Sequence, residues 1–271
     1  MFIDLKIIPI ALNKGCARCH QGIHDTQANS VHARAIEAGN KNAAVCTDCH
    51  GAHNTHSFKT QPRSAVPQTC ERCHSQIYDK YKDSVHGAAL IGEGNQDVPS
   101  CTDCHGVHNI QGPNDPQFHL SSPQICAKCH TDPQLMGKYG LSTKVLDTYL
   151  SDFHGTTVMF DATIPGQQTN KPVCVDCHGV HDIQKTDDPH STVIKDNLLS
   201  TCQKCHPDAT ANFSGAWLGH YEPSPTKYPL IYFVNLFYYL FIPTLLGGMA
   251  LFVFSDAGRR LINRRKERPH E

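Results

Sequence analysis

Cys101-Thr102-Asp103-Cys104-His105-Gly106-Val107-His108 occurs in the chain with two close relatives, Cys46-Thr47-Asp48-Cys49-His50-Gly51-Ala52-His53 and Cys174-Val175-Asp176-Cys177-His178-Gly179-Val180-His181. Each opens with C-x-x-C-H, the pattern for covalent attachment of a c-type haem. Two thiols bond the porphyrin edge, and the adjacent imidazole supplies an axial nitrogen to iron. The same pattern without the second His stands at Cys16/Cys19/His20, Cys70/Cys73/His74, Cys126/Cys129/His130 and Cys202/Cys205/His206. These seven sites use all 14 cysteines and leave none for a disulfide or a nucleophile. Zinc ribbons and thioredoxin-like redox pairs also use C-x-x-C, but neither explains a His directly after every pair. With 19 His in 271 residues, seven such coincidences have a probability on the order of 10⁻⁸. The expected cofactor is seven haem c.

Working outward, the composition points the same way. Five of the 11 Phe and four of the nine Tyr lie after residue 227, so the first 220 residues have little aromatic material for a protein core. One porphyrin per about thirty residues can form that core instead, and the apo-chain is then expected not to fold, as in small metal domains. Residues 1–229 hold 18 Lys+Arg against 22 Asp+Glu. Ionised propionates bring the oxidised head to about −11. This excludes the basic stripe that nucleic-acid binding needs and suits docking to basic patches on redox partners.

From Cys16 the chain repeats. Each plain site at 16, 70 and 126 is followed by a lone His, as Ser30-Val31-His32, Ser84-Val85-His86-Gly87 and Asp152-Phe153-His154-Gly155, and then by a C-x-D-C-H-G-x-H unit at 46, 101 and 174. The site at Cys202 begins a fourth repeat that reaches Leu218-Gly219-His220. Insertions lie around 131–143 and 158–172. The segments before each lone His read as short helices: Ile77, Tyr81 and Val85 ahead of His86; Leu146, Leu150 and Phe153 ahead of His154, with Ser142 as N-cap; Phe213 and Trp217 ahead of His220. Gly/Pro-rich stretches at 111–116 and 185–190 read as loops. The fold class expected is mostly α with long irregular loops, a multihaem cytochrome c whose stacked haems form the core, plus one C-terminal transmembrane helix.

Leu230 to Phe254 has no charge, and its only strongly polar residue is Asn235. That length crosses a bilayer with some tilt. Pro243 is expected to kink it, and tyrosines 228, 232, 238 and 239 favour one interface. The tail at 255–271 holds six basic residues against three acidic ones, which by the positive-inside rule puts the C-terminus in the cytoplasm. Haem c is attached on the other side of the membrane, so two unrelated arguments agree. The helix contains no His and cannot ligate a b-type haem. Residues 1–12 are apolar but too short and too charged to span, and they lack the form of a signal peptide; an export signal is expected and they do not supply it. The segments expected are thus 1–15 of unclear role, 16–220 the heptahaem domain of three and a half two-haem repeats, 221–229 a Pro-rich linker, 230–254 the membrane helix and 255–271 a basic cytoplasmic tail.

The proximal iron ligands are His20, His50, His74, His105, His130, His178 and His206. One further His per haem recurs in the repeat, at His32, His53, His86, His108, His154, His181 and His220, which makes these the candidate distal ligands. His50 and His53 are three residues apart and cannot occupy opposite faces of one iron, so His53 is expected on a neighbouring haem, as are His108 and His181. Spacing leaves the individual pairings open. His24, His56, His119, His190 and His270 have no recurrent counterpart and read as solvent-facing or as propionate partners, with His56 and His119 the substitutes if a candidate fails.

The repeat Ser-Val-His-Gly … Cys-x-Asp-Cys-His-Gly-x-His over residues 16–220 resembles the multihaem c-type cytochromes of the broad c3/c7-like group in respiratory chains. The resemblance implies an electron-transfer subunit that links a membrane quinone-reactive, cytochrome b-like subunit to an extracytoplasmic redox partner, with no catalytic residue of its own. The chain departs from fused forms in having one membrane helix, so a cytochrome b would be a separate subunit. It differs from the NapC/NrfH-type quinol dehydrogenases, whose anchor is at the other end. The competing class is a multihaem reductase of a small nitrogen or sulfur oxyanion at a five-coordinate haem. The fifth site is the place to look for it, because its distal candidate, His154, is far away in sequence. A third reading, an extracellular filament, is disfavoured by the membrane helix.

Overall fold

A computed structural model describes residues 7–112, 115–162, 171–216 and 219–266. The chain is mostly helical, and no strand occurs among the described residues. It divides into two units, Met1–Gly219 and His220–Glu271.

In the first unit the plain sites fall in or at the end of longer helices: Ile7–Ala17 carries Cys16, Ala65–Lys82 carries Cys70 and Cys73, Ser122–His130 carries Cys126 and Cys129, and Lys195–Gln203 carries Cys202. The C-x-D-C-H sites make one-turn helices of their own, Cys46–His50, Cys101–His105 and Cys174–His178. Their start is the motif's Asp: Asp48, Asp103 and Asp176 accept the backbone N–H of Val45, Ser100 and Val173 at 2.9, 2.6 and 2.7 Å, satisfying a donor that the helix leaves free. Their stop is the motif's Gly: Gly51, Gly106 and Gly179 have φ of 82°, 84° and 84°, a region closed to most side chains.

His32, His86 and His154 each sit in the first turn of a new helix rather than at the end of the preceding one, whereas His220 stands in a turn outside any helix. Ala65–Lys82 stops short of His86, and Val85–Gly87 begins after a turn at Ser84. The Ser84 hydroxyl donates to the Tyr81 carbonyl at 2.7 Å and accepts from Gly87 N–H at 3.0 Å, closing one helix and opening the next. Ser30 likewise accepts from Ala33 N–H at 3.1 Å to open Val31–Glu37 around His32. In the third repeat Leu146 and Leu150 lie in Val145–Leu150, while Phe153 starts the next helix, Phe153–Ala162, and is 78% exposed. Ser142 accepts from Lys144 N–H at 3.2 Å, just ahead of that first helix. Trp217 lies outside the described residues.

Two tyrosines brace the repeat. The Tyr81 hydroxyl donates to the Pro99 carbonyl at 2.6 Å and the Tyr149 hydroxyl to the Pro172 carbonyl at 2.9 Å, joining the helix before a lone His to the residues that lead into the next C-x-D-C-H turn. Successive repeats are joined in one register: Val31 N–H donates to the Ile110 carbonyl at 2.9 Å, and Val85 N–H to the Ile183 carbonyl at 2.8 Å. The protein's own core is slight. Leu120, Val158 and Val173 form a buried cluster with Val175 packed against it, little to set against a backbone entropy cost of about 1 kcal/mol or more per ordered residue.

The second unit is dominated by one helix, Pro229–Lys266, of 38 residues. Its apolar part has a mean hydropathy of 1.9 and is long enough to cross a membrane. It runs through Pro243 and on past Phe254, so the start of the basic tail is helical. There Asp256 pairs with Arg259 at 2.9 Å and with Arg260 at 2.7 Å.

Candidate functional site

Among the described residues, five imidazole pairs that join different repeats set the geometry of the head. His74 lies opposite His32 with ring centroids 6.2 Å apart, His50 opposite His108 at 6.1 Å, His130 opposite His86 at 6.3 Å, His105 opposite His181 at 5.9 Å, and His206 opposite His154 at 6.2 Å. In every pair one partner directly follows a C-x-x-C and the other is a recurring His from a different repeat. An imidazole nitrogen binds a first-row metal at about 2 Å, and half a ring adds roughly 1 Å, so two imidazoles on opposite sides of one metal hold their centroids about 6 Å apart. The donor set and the separation fit a haem iron between the rings. Among the described residues no three His, Cys, Asp or Glu side chains converge as a metal cluster, which a zinc ribbon would require.

The pairing obeys one rule. A lone His faces the plain site one repeat later: His32 faces His74, His86 faces His130, His154 faces His206. The last His of a C-x-D-C-H-G-x-H unit faces the equivalent site one repeat earlier: His108 faces His50, His181 faces His105. His154, distant from the fifth site in sequence, lies beside His206, and His86 is the ring beside His130.

The surroundings orient two of the proximal rings and disfavour the charged form of the distal ones. His50 and His105 donate from Nδ1 to the carbonyls of His56 and Gln111, both at 2.9 Å, which leaves Nε2 as the metal-facing atom and makes the ring more basic. Burial lowers the pKa of His32, with His74 nearby adding to it, and likewise lowers those of His108, His154 and His181. His86, the most enclosed, is pushed down to about 4 by burial and by His130. A ring kept neutral has its lone pair available.

The cysteines follow the sequence. In each repeat the thiols of the two sites are electrostatic neighbours, Cys16 of Cys46, Cys70 of Cys101 and Cys126 of Cys174. Between repeats Cys49 neighbours Cys70, Cys104 neighbours Cys126, and Cys177 neighbours Cys202. Cys16, Cys19, Cys73, Cys104 and Cys205 are exposed and the other cysteines half-buried. Among the remaining site residues His20, His53 and His220 are exposed and His178 half-buried; His178 and His220 make further contacts of their own. Of the histidines without a counterpart, His119 Nε2 lies 3.0 Å from Asp176, His190 Nδ1 lies 3.1 Å from Asp188, and His56 packs its ring against Phe58.

The chain is similar to a cytochrome c-type protein. That relative is the cytochrome c-type protein NrfB of Escherichia coli O6:H1, 24% identical over 192 residues that cover 69% of this chain and 76% of the relative. The likeness supports a multihaem c-type cytochrome, and 14 cysteines are compatible with it. No protein-family model matches the chain, and no solved structure matches it.

Several supporting residues escaped a reading for ligands: the capping Asp48, Asp103 and Asp176, the carbonyls of His56 and Gln111, and the bracing Tyr81 and Tyr149. The recurrence of Asp at one place in three units, and of Tyr five residues before His86 and His154, was the available signal.

Proposed function

We propose that the chain is an electron relay: a head that holds seven haems c, tethered by its C-terminal helix on the extracytoplasmic side of the cytoplasmic membrane. The observation that carries this reading is the set of five imidazole pairs, each drawing its two rings from different repeats at the separation one iron needs. Haem iron held between two imidazoles exchanges one electron and has no vacant position for a substrate. The protein's part is spacing and orientation. Thiols anchor the porphyrin edges, backbone carbonyls aim the proximal rings, and burial keeps the distal rings neutral. The nearness of the thiols of successive sites supports a relay in sequence order, from the site at Cys16 to the site at Cys202. At the two ends the partners are a quinone-reactive, cytochrome b-like membrane subunit and an extracytoplasmic redox protein. The six basic residues after the membrane helix support a cytoplasmic C-terminus, and the cytochrome c-type relative supports covalent haem.

The reductase reading at the fifth site gains nothing from the geometry, because His86 stands 6.3 Å from His130. The test is to purify the full chain in mild detergent, weigh it and identify what co-migrates. A mass of the polypeptide plus seven haems, with a quinone-reactive membrane subunit in the complex, is expected. A preparation that stably holds fewer haems, or zinc in their place, would refute the proposal.

A further inference from the structure

Successive repeats meet at a joint that is built twice among the described residues. At the first, Val31 N–H donates to the Ile110 carbonyl at 2.9 Å and the Gln111 side-chain amide donates to the Asn29 carbonyl at 3.2 Å. At the second, Val85 N–H donates to the Ile183 carbonyl at 2.8 Å and the Gln184 amide to the Asp83 carbonyl at 3.0 Å. The upstream half is in each case the turn that opens the helix of a lone His. The loop that fills it follows a C-x-D-C-H-G-x-H unit, as His108-Asn109-Ile110-Gln111 and His181-Asp182-Ile183-Gln184. Packing accompanies the bonds: Val31 and Val85 are half-buried, and a Cβ on Gly112 would come within 3.1 Å of the Val31 side chain. The third repeat presents the same upstream half, Ser151-Asp152-Phe153 ahead of His154. There the Phe153 N–H and the Ser151 carbonyl have no partner among the described residues, and Phe153 is 78% exposed. No third Ile-Gln pair occurs in the sequence, and after the Cys202 site the chain runs on to its membrane helix.

We infer that this open joint is the docking site of an extracytoplasmic c-type cytochrome, which seats on Ser151 and Phe153 a loop of Ile-Gln type (an apolar residue, then Gln) that follows one of its own C-x-x-C-H-G-x-H sites. The inference rests on the proposal that the chain is an electron relay. A backbone N–H and a carbonyl two residues apart are both satisfied by one extended loop that offers a carbonyl and then a side-chain amide. The two filled joints show which loop that is. A second copy of this chain does not supply it. Its loops at 110–111 and 183–184 are occupied in their own joints, and the loop after His53 reads Asn54-Thr55-His56, with neither Ile nor Gln. The place suits electron transfer. Phe153 directly precedes His154, which faces His206 at 6.2 Å, so the joint adjoins the last site of the series. A partner seated there stands to the third repeat as the third stands to the second.

The experiment places p-benzoylphenylalanine, a photo-cross-linking analogue of Phe, at position 153 of the full-length chain in cells of the native host, and at positions 31 and 85 in two further variants. Haem counts by mass equal to wild type show that the variants fold. After illumination the membranes are solubilised and the cross-linked peptides are sequenced. The expected result is that position 153 gains the mass of one partner chain, and that the linked peptide carries an apolar residue followed by Gln directly after C-x-x-C-H-G-x-H. Positions 31 and 85 should link only within the chain, to the loops at 108–112 and 181–185. The inference is overturned if position 153 links within its own chain, to a second copy, to a protein without such a loop, or to no protein. It is equally overturned if positions 31 and 85 fail to reach their loops, for the joint is then not the docking element. In each of these cases the relay proposal stands while the chain holds seven haems. A wild-type mass short of seven would refute the relay, whatever position 153 captures.

Discussion

Replacing Gly87 by Ala sets two effects of opposite sign against each other. Gly87 has helical backbone angles, φ −69° and ψ −42°, so on conformational grounds Ala should stabilise by about 0.4–1 kcal/mol. Space decides otherwise. A Cβ at Gly87 would lie 1.7 Å from the Tyr81 carbonyl oxygen, 2.5 Å from its carbon and 2.9 Å from Lys82 Cα, all backbone atoms with nowhere to rotate. Restoring ordinary contact requires the His86 segment to retreat by about 1.7 Å. Overpacking of this kind costs about 1–3 kcal/mol, and the upper end applies because the obstacle is main chain, so the net loss is expected near 2 kcal/mol. The retreat also draws His86 away from His130, a pair 6.3 Å apart and already at the separation one iron allows. Gly87→Ala should therefore lower the denaturation midpoint and convert one low-spin haem to high spin by electron paramagnetic resonance. Gly92→Ala is the control, since nothing lies within 4 Å of a Cβ there. Gly155→Ala should reproduce the effect at His154, because its Cβ would meet the Tyr149 carbonyl oxygen at 2.0 Å. Native stability and an unchanged spectrum in Gly87→Ala would show that the His86 segment is not held as described.

Tyr81→Phe removes the hydrogen bond to the Pro99 carbonyl and leaves a part-buried acceptor, which should cost about 1 kcal/mol in chemical denaturation with the haem count unchanged. Asp97 is held below the usual carboxylate range, first by its hydrogen bond from Lys138 and then by that from Tyr139. A depressed pKa contributes stability above the unfolded value, near 4, that is lost as pH falls through the folded one. Lys138→Met should accordingly lower the melting temperature at pH 6 and have little effect at pH 3; an equal effect at both would refute the pairing. Expression without haem attachment should give a chain whose residues 16–220 show hydrogen exchange at unprotected rates, since Leu120, Val158 and Val173 are too few to fold it. A reporter active only in the cytoplasm, fused after Glu271, should be active, and one active only outside it should not.

Residue identity alone carried the C-x-x-C-H pattern, the repeat and a helix long and apolar enough to cross a membrane. A thiol pair with its adjacent imidazole is local in sequence, and so is a run of twenty-five uncharged residues. The same locality explains why Asp48 and Gly51 can start and stop a helical turn around Cys46–His50 wherever that turn is placed. Which imidazole stands across from which could not be read in this way. His32 and His74 are 42 positions apart and His105 and His181 are 76 apart, and the repeats that carry them are joined by bonds such as those from Val31 and Val85 to loops one repeat downstream. Those bonds depend on how whole repeats dock, and docking is settled by shape and backbone contact between distant segments. Spacing along a chain does not encode it. The recurring histidines were therefore visible as candidates, whereas the rule that pairs ten of them belongs to the tertiary structure.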